Sequence, residues 1–560
     1  MLLTSISVSV HSEEKHPDTA QWKKLLHFGV DKSRVISKEF FLSSTGHTDY
    51  LSELHKTIRL VKSKHGRQIA CNFPARYRWL TENIHDLPVY ELIHCPDLEE
   101  FRKSIQQKTV SLVFASEYLD NPVSSFGHTL LIFHDPDKPL SSADTIHFAA
   151  RTDKKDGFIK YTWKGLTGGY PGNFFRDPFF KNQHKYNIVE QRYLHIYTLD
   201  LSAQQIETLI YHLYELRKAT FNYYFINENC AFQIGNLLDI VDTQVNYSDS
   251  GFVLPIEVIT KNKHRYKTQT VLYPSAVKLT HLFDNMSDPQ QDLFESIVDG
   301  AEPVAEILSD ELKYALALYY EYQFKKNNTV LPNYNKVMQL GYTKPPISID
   351  APAPLQRQGF SRAGIAYRKH EKDETMLLTY RPFLRDVFDT QQNREQTSTL
   401  SLFNTAIEVN HHTISLHQFD VLDINSTPFR TRFFKPVSWH FYSGFNRANP
   451  LQKLDYETEF GLGITHQFSM LSLNYNLHAG VDMSSGDHYF KPNVAILVNV
   501  SDYFRFGLNA YEKYYDQDIY IERDAFASLS FEQYAVNARY STTSSTSGGM
   551  FTLSIFSYFN

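Results

Sequence analysis

Long apolar runs are missing from this sequence of 560 residues. No stretch approaches eighteen consecutive apolar residues, so the sequence predicts no transmembrane helix. The opening phrase MLLTSISVSVHSEEK holds a short apolar stretch but lacks a basic n-region. We interpret residues 1–15 as the remnant of a secretory signal whose start lies upstream, with an ordinary N-terminal tail as the alternative.

Cysteine is scarce, and its three residues divide by context. Cys71 and Cys95 lie in one segment, and an exported protein would oxidise such a pair. We therefore expect a disulfide that stabilises the fold by roughly 3 kcal/mol in the chain-entropy model. Cys230 is then left over, and an unpaired thiol in an exported protein requires an explanation.

The sequence also lacks the signatures of several function classes. The net charge of −6 and the pI near 6.5 give no reason to expect a nucleic-acid partner. There is no phosphate-binding glycine-rich loop and no clustered spacing of zinc ligands, so we expect no cofactor and no metal. Nothing in the pattern specifies an oligomeric state.

The chain divides into stretches of different character. Residues 16–95 have apolar residues at helical spacing, residues 96–250 alternate strand-like and helical pieces, and residues 251–342 turn helical again. Residues 343–355, TKPPISIDAPAPL, hold four prolines, which predicts an extended linker.

In residues 356–560, apolar and polar side chains alternate with a period of two. In LSLNYNLHAGVD, which begins at Leu471, apolar residues alternate with polar ones, and the final run places Phe551, Leu553 and Ile555 on one face. We count roughly ten to twelve segments of about ten residues, the length of a tilted membrane strand. A soluble β-sandwich also alternates, but its strands are usually shorter. The 36 tyrosines and 41 phenylalanines, many near strand ends, favour an outer-membrane β-barrel with antiparallel strands.

One histidine stands out in the phrase SSFGHTLLIF. His128 begins a predicted strand and shares a face with Leu130 and Ile132, so its imidazole points with the buried side chains. Gly127 before it permits a close backbone approach or an unusual dihedral angle. Alone, such a histidine is more often a satisfied core residue than a catalyst.

The leftover cysteine lies in NYYFINENCAFQIGNLLDI. Asn229 is a favoured helix N-cap residue, and Cys230 follows it at the first helical position. Ile234, Leu237 and Leu238 place the thiol on the inward face, at the positive end of the helix dipole, where thiolate is favoured. The alternative is a buried small apolar cysteine, but such a residue needs neither a cap nor a helix end.

Together these phrases meet the requirements of nucleophilic catalysis, with Cys230 as nucleophile and His128 as base. A third group should orient the imidazole. His147, on the following predicted strand, is the first candidate, and Glu117, on the preceding one, is the second. Asn229 would support the helix start, whose backbone N–H groups would stabilise the oxyanion.

The two phrases resemble a known family. FASEYLDNPVSSFGHTLLIF and FNYYFINENCAFQIGNLLD are similar to the Lnb-type periplasmic domain, whose wider relatives are the circularly permuted papain-like, NlpC-type enzymes. In that permuted order the His strand precedes the Cys helix, as His128 precedes Cys230 here. The CNFPARYRWL segment and the barrel phrase FDVLDINSTPFRTRFFKPVSWHFYSG resemble companion regions of the same family.

The resemblance implies an α+β, permuted papain-like domain with flanking helical regions, followed by the all-β transmembrane barrel. It also implies cysteine-dependent acyl transfer, which in the namesakes modifies the N-terminus of lipoproteins. We therefore expect a Gram-negative outer-membrane protein with its catalytic domain in the periplasm, acting on lipoproteins or phospholipids among outer-membrane lipids. Two alternatives stay open: a cysteine amidase or peptidase acting on peptidoglycan, and a non-catalytic barrel protein with a periplasmic binding domain.

Overall fold

A computed structural model describes most of the chain, and its residues form two compact units. The described residues are 18–118, 126–153, 155–225, 227–242, 244–247, 252–327, 330–349, 354–356, 359–371, 373–389, 398–410, 413–447, 454–515, 518–545 and 548–559. The first unit comprises Met1–Ala115, Gly127–Gln183 and His195–Thr270, and the second comprises Ser116–Phe126, His184–Leu194 and Val271–Asn560. The expected signal remnant, residues 1–15, and part of the proline-rich linker lie outside the described residues.

The described α-helices and strands follow each other in mixed order up to residue 342, after which strands dominate. The helices are α1 Ala20–Leu25, α2 Tyr50–Val61, α3 Gly66–Asn72, α4 Pro74–Asn83, α5 Pro96–Ser104, α6 Phe158–Thr167, α7 Phe179–Gln183, α8 Ala203–Leu216, α9 Cys230–Asp239, α10 Pro255–Lys261, α11 Ser275–Asp284, α12 Asp288–Val298, α13 Asp310–Asn327 and α14 Tyr334–Met338. The strands of the first half are β1 Thr109–Ala115, β2 His128–His134, β3 Asp144–Ala150, β4 Tyr170–Pro178, β5 Leu194–Leu199, β6 Phe221–Tyr223 and β7 Tyr266–Leu272. The strands of the second half are β8 Ser361–His370, β9 Asp373–Arg381, β10 Phe383–Arg385, β11 Thr399–Val409, β12 Ile414–Ser426, β13 Ser438–Asn446, β14 Asp455–Phe468, β15 Leu471–Asp482, β16 Asp487–Asn499, β17 Phe504–Tyr514, β18 Ile519–Ser530, β19 Tyr534–Thr543 and β20 Gly549–Phe559.

A seven-stranded sheet in the order β6-β4-β3-β2-β1-β5-β7 forms the centre of the mixed α/β half. β1, β2, β3 and β4 pair antiparallel in succession, although α6 lies in the connection between β3 and β4. β1 and β2 are buried along nearly their whole length, which explains why apolar residues predominate in both. β7 lies inside the stretch 251–342 that the sequence predicts as helical, so that prediction misses one strand of the sheet.

A fully buried ion network joins three helices of the first unit. The Arg76 guanidinium on α4 lies 3.1 Å from a carboxylate oxygen of Glu53 and 3.2 Å from one of Glu215, and all three side chains are inaccessible to solvent. Backbone N–H groups complete both carboxylates: Leu42 donates to Glu53 over 2.9 Å, and Ala75 donates to Glu215 over 2.8 Å. Buried charges persist only when they are paired and hydrogen-bonded in this way.

Two buried histidines lie beside this network. The Nε2 atoms of His27 and His212 are 2.9 Å apart, and Nδ1 of His212 lies 3.6 Å from a carboxylate oxygen of Glu215. Burial is the largest cause that lowers the pKa of each histidine, with the neighbouring Arg76 acting in the same direction. Both rings are therefore held in the neutral form at neutral pH.

A disulfide links Cys71, in α3, to Cys95, just before α5, with their Cα atoms 5.5 Å apart. The cross-link closes a loop that contains α4 and therefore Arg76. Cys230 is not part of a disulfide and is buried.

In the second unit, a barrel loop supplies part of the core of a helical layer. α11, α12, α13 and α14 pack around a common apolar cluster that includes Phe434, from the connection between β12 and β13. The ring of Phe434 lies 4.3 Å from that of Tyr322, and the ring of Phe433 lies 4.9 Å from that of Phe283. The loop therefore fastens these helices to one end of the barrel.

The second half of the chain forms a closed antiparallel barrel of twelve strands within the described residues: β8, β9 and β11 to β20. β20 pairs with β8, and β9 pairs with β11, which leaves no open edge in the ring. The short β10 continues β9 in the same register against β11. Pro382 separates the two because it has no N–H to donate, and it stands opposite Phe403, whose φ is 54°. The predicted barrel and its strand number are confirmed.

The barrel buries its polar side chains and exposes its apolar ones. Along β15 the predicted alternation is observed: Asn474, Asn476 and His478 are buried, whereas Tyr475 and Leu477 are exposed. Phe551, Leu553 and Ile555 of β20 are likewise exposed, on one face as predicted. An apolar outer face around a polar interior is the arrangement of barrels that span the outer membrane. None of the described helices is long and apolar enough to cross a membrane.

Removal of the buried guanidinium should destabilise the first unit strongly. Arg76→Leu leaves Glu53 and Glu215 as uncompensated buried carboxylates, which we expect to cost about 3–5 kcal/mol in the free energy of unfolding. Urea unfolding followed by fluorescence would measure it, since Trp22 and Trp79 are packed together in this unit. Arg78→Leu is the control, because its ion pair with Glu207 is partly exposed. Equal losses in the two variants would contradict the role of the network.

The two buried histidines should make the first unit sensitive to mild acid. The unfolded chain takes up protons below about pH 6.5 that the folded protein, with its lowered histidine pKa values, does not, so the free energy of unfolding should fall as the pH drops below that value. Asp239 acts in the opposite direction, since burial raises the pKa of its carboxyl to about 7. The measurement is therefore the slope of stability against pH in wild type and His212→Gln. The variant should have the shallower slope, and an unchanged slope would contradict the assignment.

Candidate functional site

Cys230 is the first residue of α9, and the helix start is capped. Asn229 has an extended backbone, with φ −86° and ψ −169°, and its Oδ1 accepts a hydrogen bond from the backbone N–H of Phe232 over 3.1 Å. The same side chain donates through Nδ2 to the Val253 carbonyl over 3.1 Å. Asn229 therefore fixes the position of the helix start with both ends of its amide.

α9 is enclosed on every side. All ten residues from Cys230 to Asp239 are buried, including the polar Gln233 and Asn236, so the helix has no solvent-facing stripe. The sequence predicts an inward face for Ile234, Leu237 and Leu238, and these are indeed buried. A helix buried in this manner holds its first residue in one place, because its neighbours leave it little freedom.

α9 packs against β2 and β3, the two strands that carry the candidate histidines. His128 is the first residue of β2, is half-buried, and pairs with Ala115 at the end of β1. Gly127, before it, has φ +88°, and a Cβ there would come within 2.6 Å of the Phe114 ring. Glycine is required at that position for both the dihedral angle and the space.

His147 lies on β3 and is also half-buried. Leu131 pairs with Ile146, and one residue further along each strand the same register sets His147 opposite Leu130. Leu130 shares a face with His128, so both imidazoles project from the same side of the sheet. Nε2 of His147 lies 4.0 Å from a carboxylate oxygen of Asp177 on β4.

Asp177 was missed by sequence reasoning. It follows a glycine- and aromatic-rich run that gives no catalytic signal, and only the pairing of β3 with β4 brings it to His147. Glu117, by contrast, is not on the strand to which the sequence assigns it. β1 ends at Ala115, and Glu117 lies two residues beyond, in the second unit.

An ion pair at the start of α9 was also missed. The carboxylate of Glu228, two residues before Cys230, lies 3.0 Å from Nε of Arg34, and the Arg34 guanidinium stacks over the Phe232 ring at 4.7 Å. Burial is the largest cause that raises the pKa of the Glu228 carboxyl, with Arg34 opposing it. Arg34, from the N-terminal region, therefore holds the start of α9 through its contacts with Glu228 and Phe232. The acidic residue in the phrase NENC was a signal that could have been used.

One described cluster has the composition of a metal site. His440, Glu459 and His478, on neighbouring barrel strands, bring one ligand atom each within 4.8 Å of one another. The Lys491 ammonium already lies 2.6 Å from Oε1 of Glu459, and the Tyr489 hydroxyl donates to Oε2 over 2.9 Å. A cation would have to displace that ammonium, so the cluster is better described as an internal ion network of the barrel.

Three family models match the chain. Residues 97–264 match the Lnb N-terminal periplasmic domain, which confirms the resemblance drawn from the sequence. Residues 351–533 match a domain of unknown function, DUF7840, and residues 16–83 match another, DUF7843. Cys230, His128, His147 and Asp177 all lie in the first of these segments.

Solved structures resemble the barrel only weakly. The KdgM porin is 7% identical, with a TM-score of 0.24, over 36% of this chain and 99% of that chain. LpxR from Salmonella typhimurium is 10% identical, with a TM-score of 0.24, over 35% of this chain and 100% of that chain. A search of curated proteins finds no match.

The barrel's own strand pairings and side-chain pattern settle the location. A closed ring of strands with an apolar outer face satisfies every backbone group internally, as hydrocarbon requires. The same chain carries a segment that matches a periplasmic domain. This is an outer-membrane protein with a periplasmic domain, as expected from the sequence.

The cap should control the reactivity of the thiol. Asn229→Ala removes the hydrogen bond to the Phe232 N–H and weakens the helix start by about 1 kcal/mol, whereas Asn229→Ser keeps a capping oxygen. We expect slower alkylation of Cys230 by iodoacetamide near neutral pH in the alanine variant, and a pH midpoint moved upward. Cys71 and Cys95 are in the disulfide, so intact mass reports a single adduct. Identical pH profiles for Ala, Ser and wild type would contradict this role.

Proposed function

We propose that this protein is a cysteine-dependent acyl-transfer enzyme of the outer membrane, with Cys230 as nucleophile and His128 as base. The observation that carries the proposal is the capped helix start: a cysteine outside any disulfide, at the first position of α9, packed against the strands that hold two histidines. The positive end of a helix dipole stabilises thiolate, the species that attacks a carbonyl.

The proposed reaction has two halves. His128 takes the thiol proton, and the Cys230 sulfur attacks the carbonyl carbon of an ester. As the S–C bond forms, the C–O bond to the leaving alcohol breaks, and the alcohol takes the proton from His128. An amine or water then loses a proton to His128 and attacks the thioester. The C–S bond breaks, the departing Cys230 sulfur takes the proton back from His128, and the acyl group is released as an amide or a free acid.

The surrounding residues suit supporting roles. Backbone N–H groups in the first turn of α9 that the Asn229 cap does not engage would stabilise the oxyanion. His147 shares a face of the sheet with His128 and is backed by Asp177, which makes it the candidate for orienting the base or stabilising its charge. Asn229 and the Glu228–Arg34 ion pair keep the helix start in position.

The chain order and the location favour a lipid-linked acyl substrate. The His strand precedes the Cys helix, the order that a permuted papain-like domain requires. The match to the Lnb periplasmic domain spans both. A barrel in the outer membrane keeps such a domain beside phospholipids and lipoproteins, so we propose one of these as acyl donor and a lipoprotein amine as acceptor.

Trapping of the acyl-enzyme tests the proposal. The full chain in detergent is exposed to an alkyne-tagged palmitoyl 4-nitrophenyl ester, and hydroxylamine-labile label on Cys230 is measured by peptide mass spectrometry. Wild type should label fast, Cys230→Ala should not label, and His128→Gln should label about 100-fold more slowly, the usual contribution of a general base. His65→Gln, an exposed histidine of the same unit, is the matched control and should behave as wild type.

Denatured protein sets the rate of an unactivated thiol. If native Cys230 is labelled no faster than this rate, or if His128→Gln leaves its labelling rate unchanged, the proposed enzymatic activity is refuted. If labelling succeeds, addition of a diacylglyceryl-cysteine peptide should release the acyl group as an amide. Release only as free fatty acid would make the enzyme a hydrolase and refute transfer.

A further inference from the structure

The second unit contains a cavity of about 1260 Å³. This exceeds the roughly 300–1,000 Å³ typical of small-molecule sites, so its occupant is larger than most metabolites. α11 and α13 form one wall, and the segment before β5, with its π-helical turn His184–Val189, forms a second. The third wall is the outer face of the barrel near the β12–β13 loop.

That third wall belongs to the lipid-facing surface. Trp439, Phe460 and Leu462 line the cavity, and Leu462 is paired with Trp439 across β13 and β14, which puts both on the outward face. Phe460 and Leu462 are 50% and 52% exposed. On an outer-membrane barrel, side chains of this face contact acyl chains. One wall of the cavity therefore belongs to the apolar outer face of the barrel.

The lining also carries charges of both signs. Lys325, Arg430 and Lys435 supply three cations, and Glu117 and Asp284 supply two carboxylates, while a third carboxylate, that of Glu190, is paired with Arg192 over 2.7 Å. Such a lining suits a headgroup that carries both signs: a phosphate for the cations and a primary ammonium for the carboxylates. A polyanionic headgroup would meet the carboxylates of Glu117 and Asp284 as well as the cations, which disfavours it.

Hydrogen bonds hold the walls in place without a ligand. The Ser116 N–H donates to the Tyr193 carbonyl over 3.0 Å, and the Arg192 guanidinium donates to the Ser116 carbonyl over 2.6 Å. Gln191 bridges to α11: its amide nitrogen donates to the Ser275 hydroxyl over 2.8 Å, and its oxygen accepts from the Ala276 N–H over 2.8 Å. The cavity is therefore preformed, which reduces the entropic cost of binding.

From these features we propose that the cavity binds one glycerophospholipid with a phosphoethanolamine headgroup, taken laterally from the bilayer. Its acyl chains lie along Phe460 and Leu462, its phosphate meets Arg430 and the two lysines, and its ammonium meets Glu117 and Asp284. That this lipid is the acyl donor rests on the proposed function; its binding does not require Cys230.

Photo-crosslinking in vesicles tests the site. The full chain is reconstituted in phosphatidylethanolamine–phosphatidylglycerol vesicles with a trace of phosphatidylethanolamine bearing a diazirine in one acyl chain, and cross-linked peptides are mapped by mass spectrometry. We expect enrichment on the peptides around Val277 and Trp439. Val277→Trp, which places a bulky ring in the cavity beside α11, should reduce that labelling about tenfold. Leu508→Trp, on the lipid-facing side of a distant strand, is the control and should leave it unchanged.

Headgroup specificity gives the second readout. Diazirine probes with phosphoglycerol and phosphocholine headgroups should label the cavity peptides less than the phosphoethanolamine probe. Arg430→Gln should weaken labelling, whereas Lys336→Gln, whose ion pair with Glu302 lies outside the cavity, should not. Labelling spread evenly around the barrel, or equal for all three probes, would mean annular lipid only and would overturn the proposal. Cys230→Ser should label as wild type, so loss of acyl transfer and loss of lipid binding are separate results.

Discussion

The need to pair every backbone N–H and C=O in hydrocarbon governs the second half of this chain. A strand edge left open in the membrane would cost several kcal/mol for each unsatisfied group. Pairing of β9 with β11 closes the ring and removes that cost. Closure in turn fixes an inside and an outside, so the period-two alternation sorts polar side chains to the interior and apolar ones to the lipid. The break at Pro382 is tolerated because β10 resumes the same register immediately afterwards.

The first half of the chain depends instead on buried charged side chains that are held in place by ion pairs. Arg76 bridges two carboxylates inside the protein, and Arg34 braces the helix start through Glu228. Both arginines come from the N-terminal region that matches its own family model, whereas their partners Glu215 and Glu228 come from the segment that matches the periplasmic domain. The N-terminal helices are therefore structural parts of the candidate active site's scaffold. Arg34 contacts the start of α9 through Glu228, and Arg76 joins α4 to α2 and α8.

Local patterns in the sequence were sufficient for much of the fold. Alternation in LSLNYNLHAGVD predicts a membrane strand because the two faces of a strand meet opposite solvents, and the capping oxygen of Asn229 predicts the start of α9 because its partner is three residues away. Features made by distant pairing were not predictable. β7, the contact of His147 with Asp177, and the insertion of Phe434 into a helical core all join segments far apart in the chain. Residue propensity and spacing carry no information about such long-range contacts. Glu117 was assigned to β1 by mistake, because only the sheet register shows that this strand ends at Ala115.

Two short pieces of the segment that matches the periplasmic domain belong to the second unit, which matters when that segment is to be produced alone. Residues 97–264 match one family model, yet Ser116–Phe126 and His184–Leu194 within them pack with the second unit. A hydrogen bond from Arg192 to Ser116 joins these two pieces to each other, and one from Gln191 to Ser275 joins the second piece to α11. A fragment that contains only residues 97–264 would keep the bond between Arg192 and Ser116 but lose the bond between Gln191 and Ser275. It would also lose Tyr273, whose ring lies 6.1 Å from that of Tyr193. The boundaries of the family match and those of the compact units therefore do not coincide in this protein.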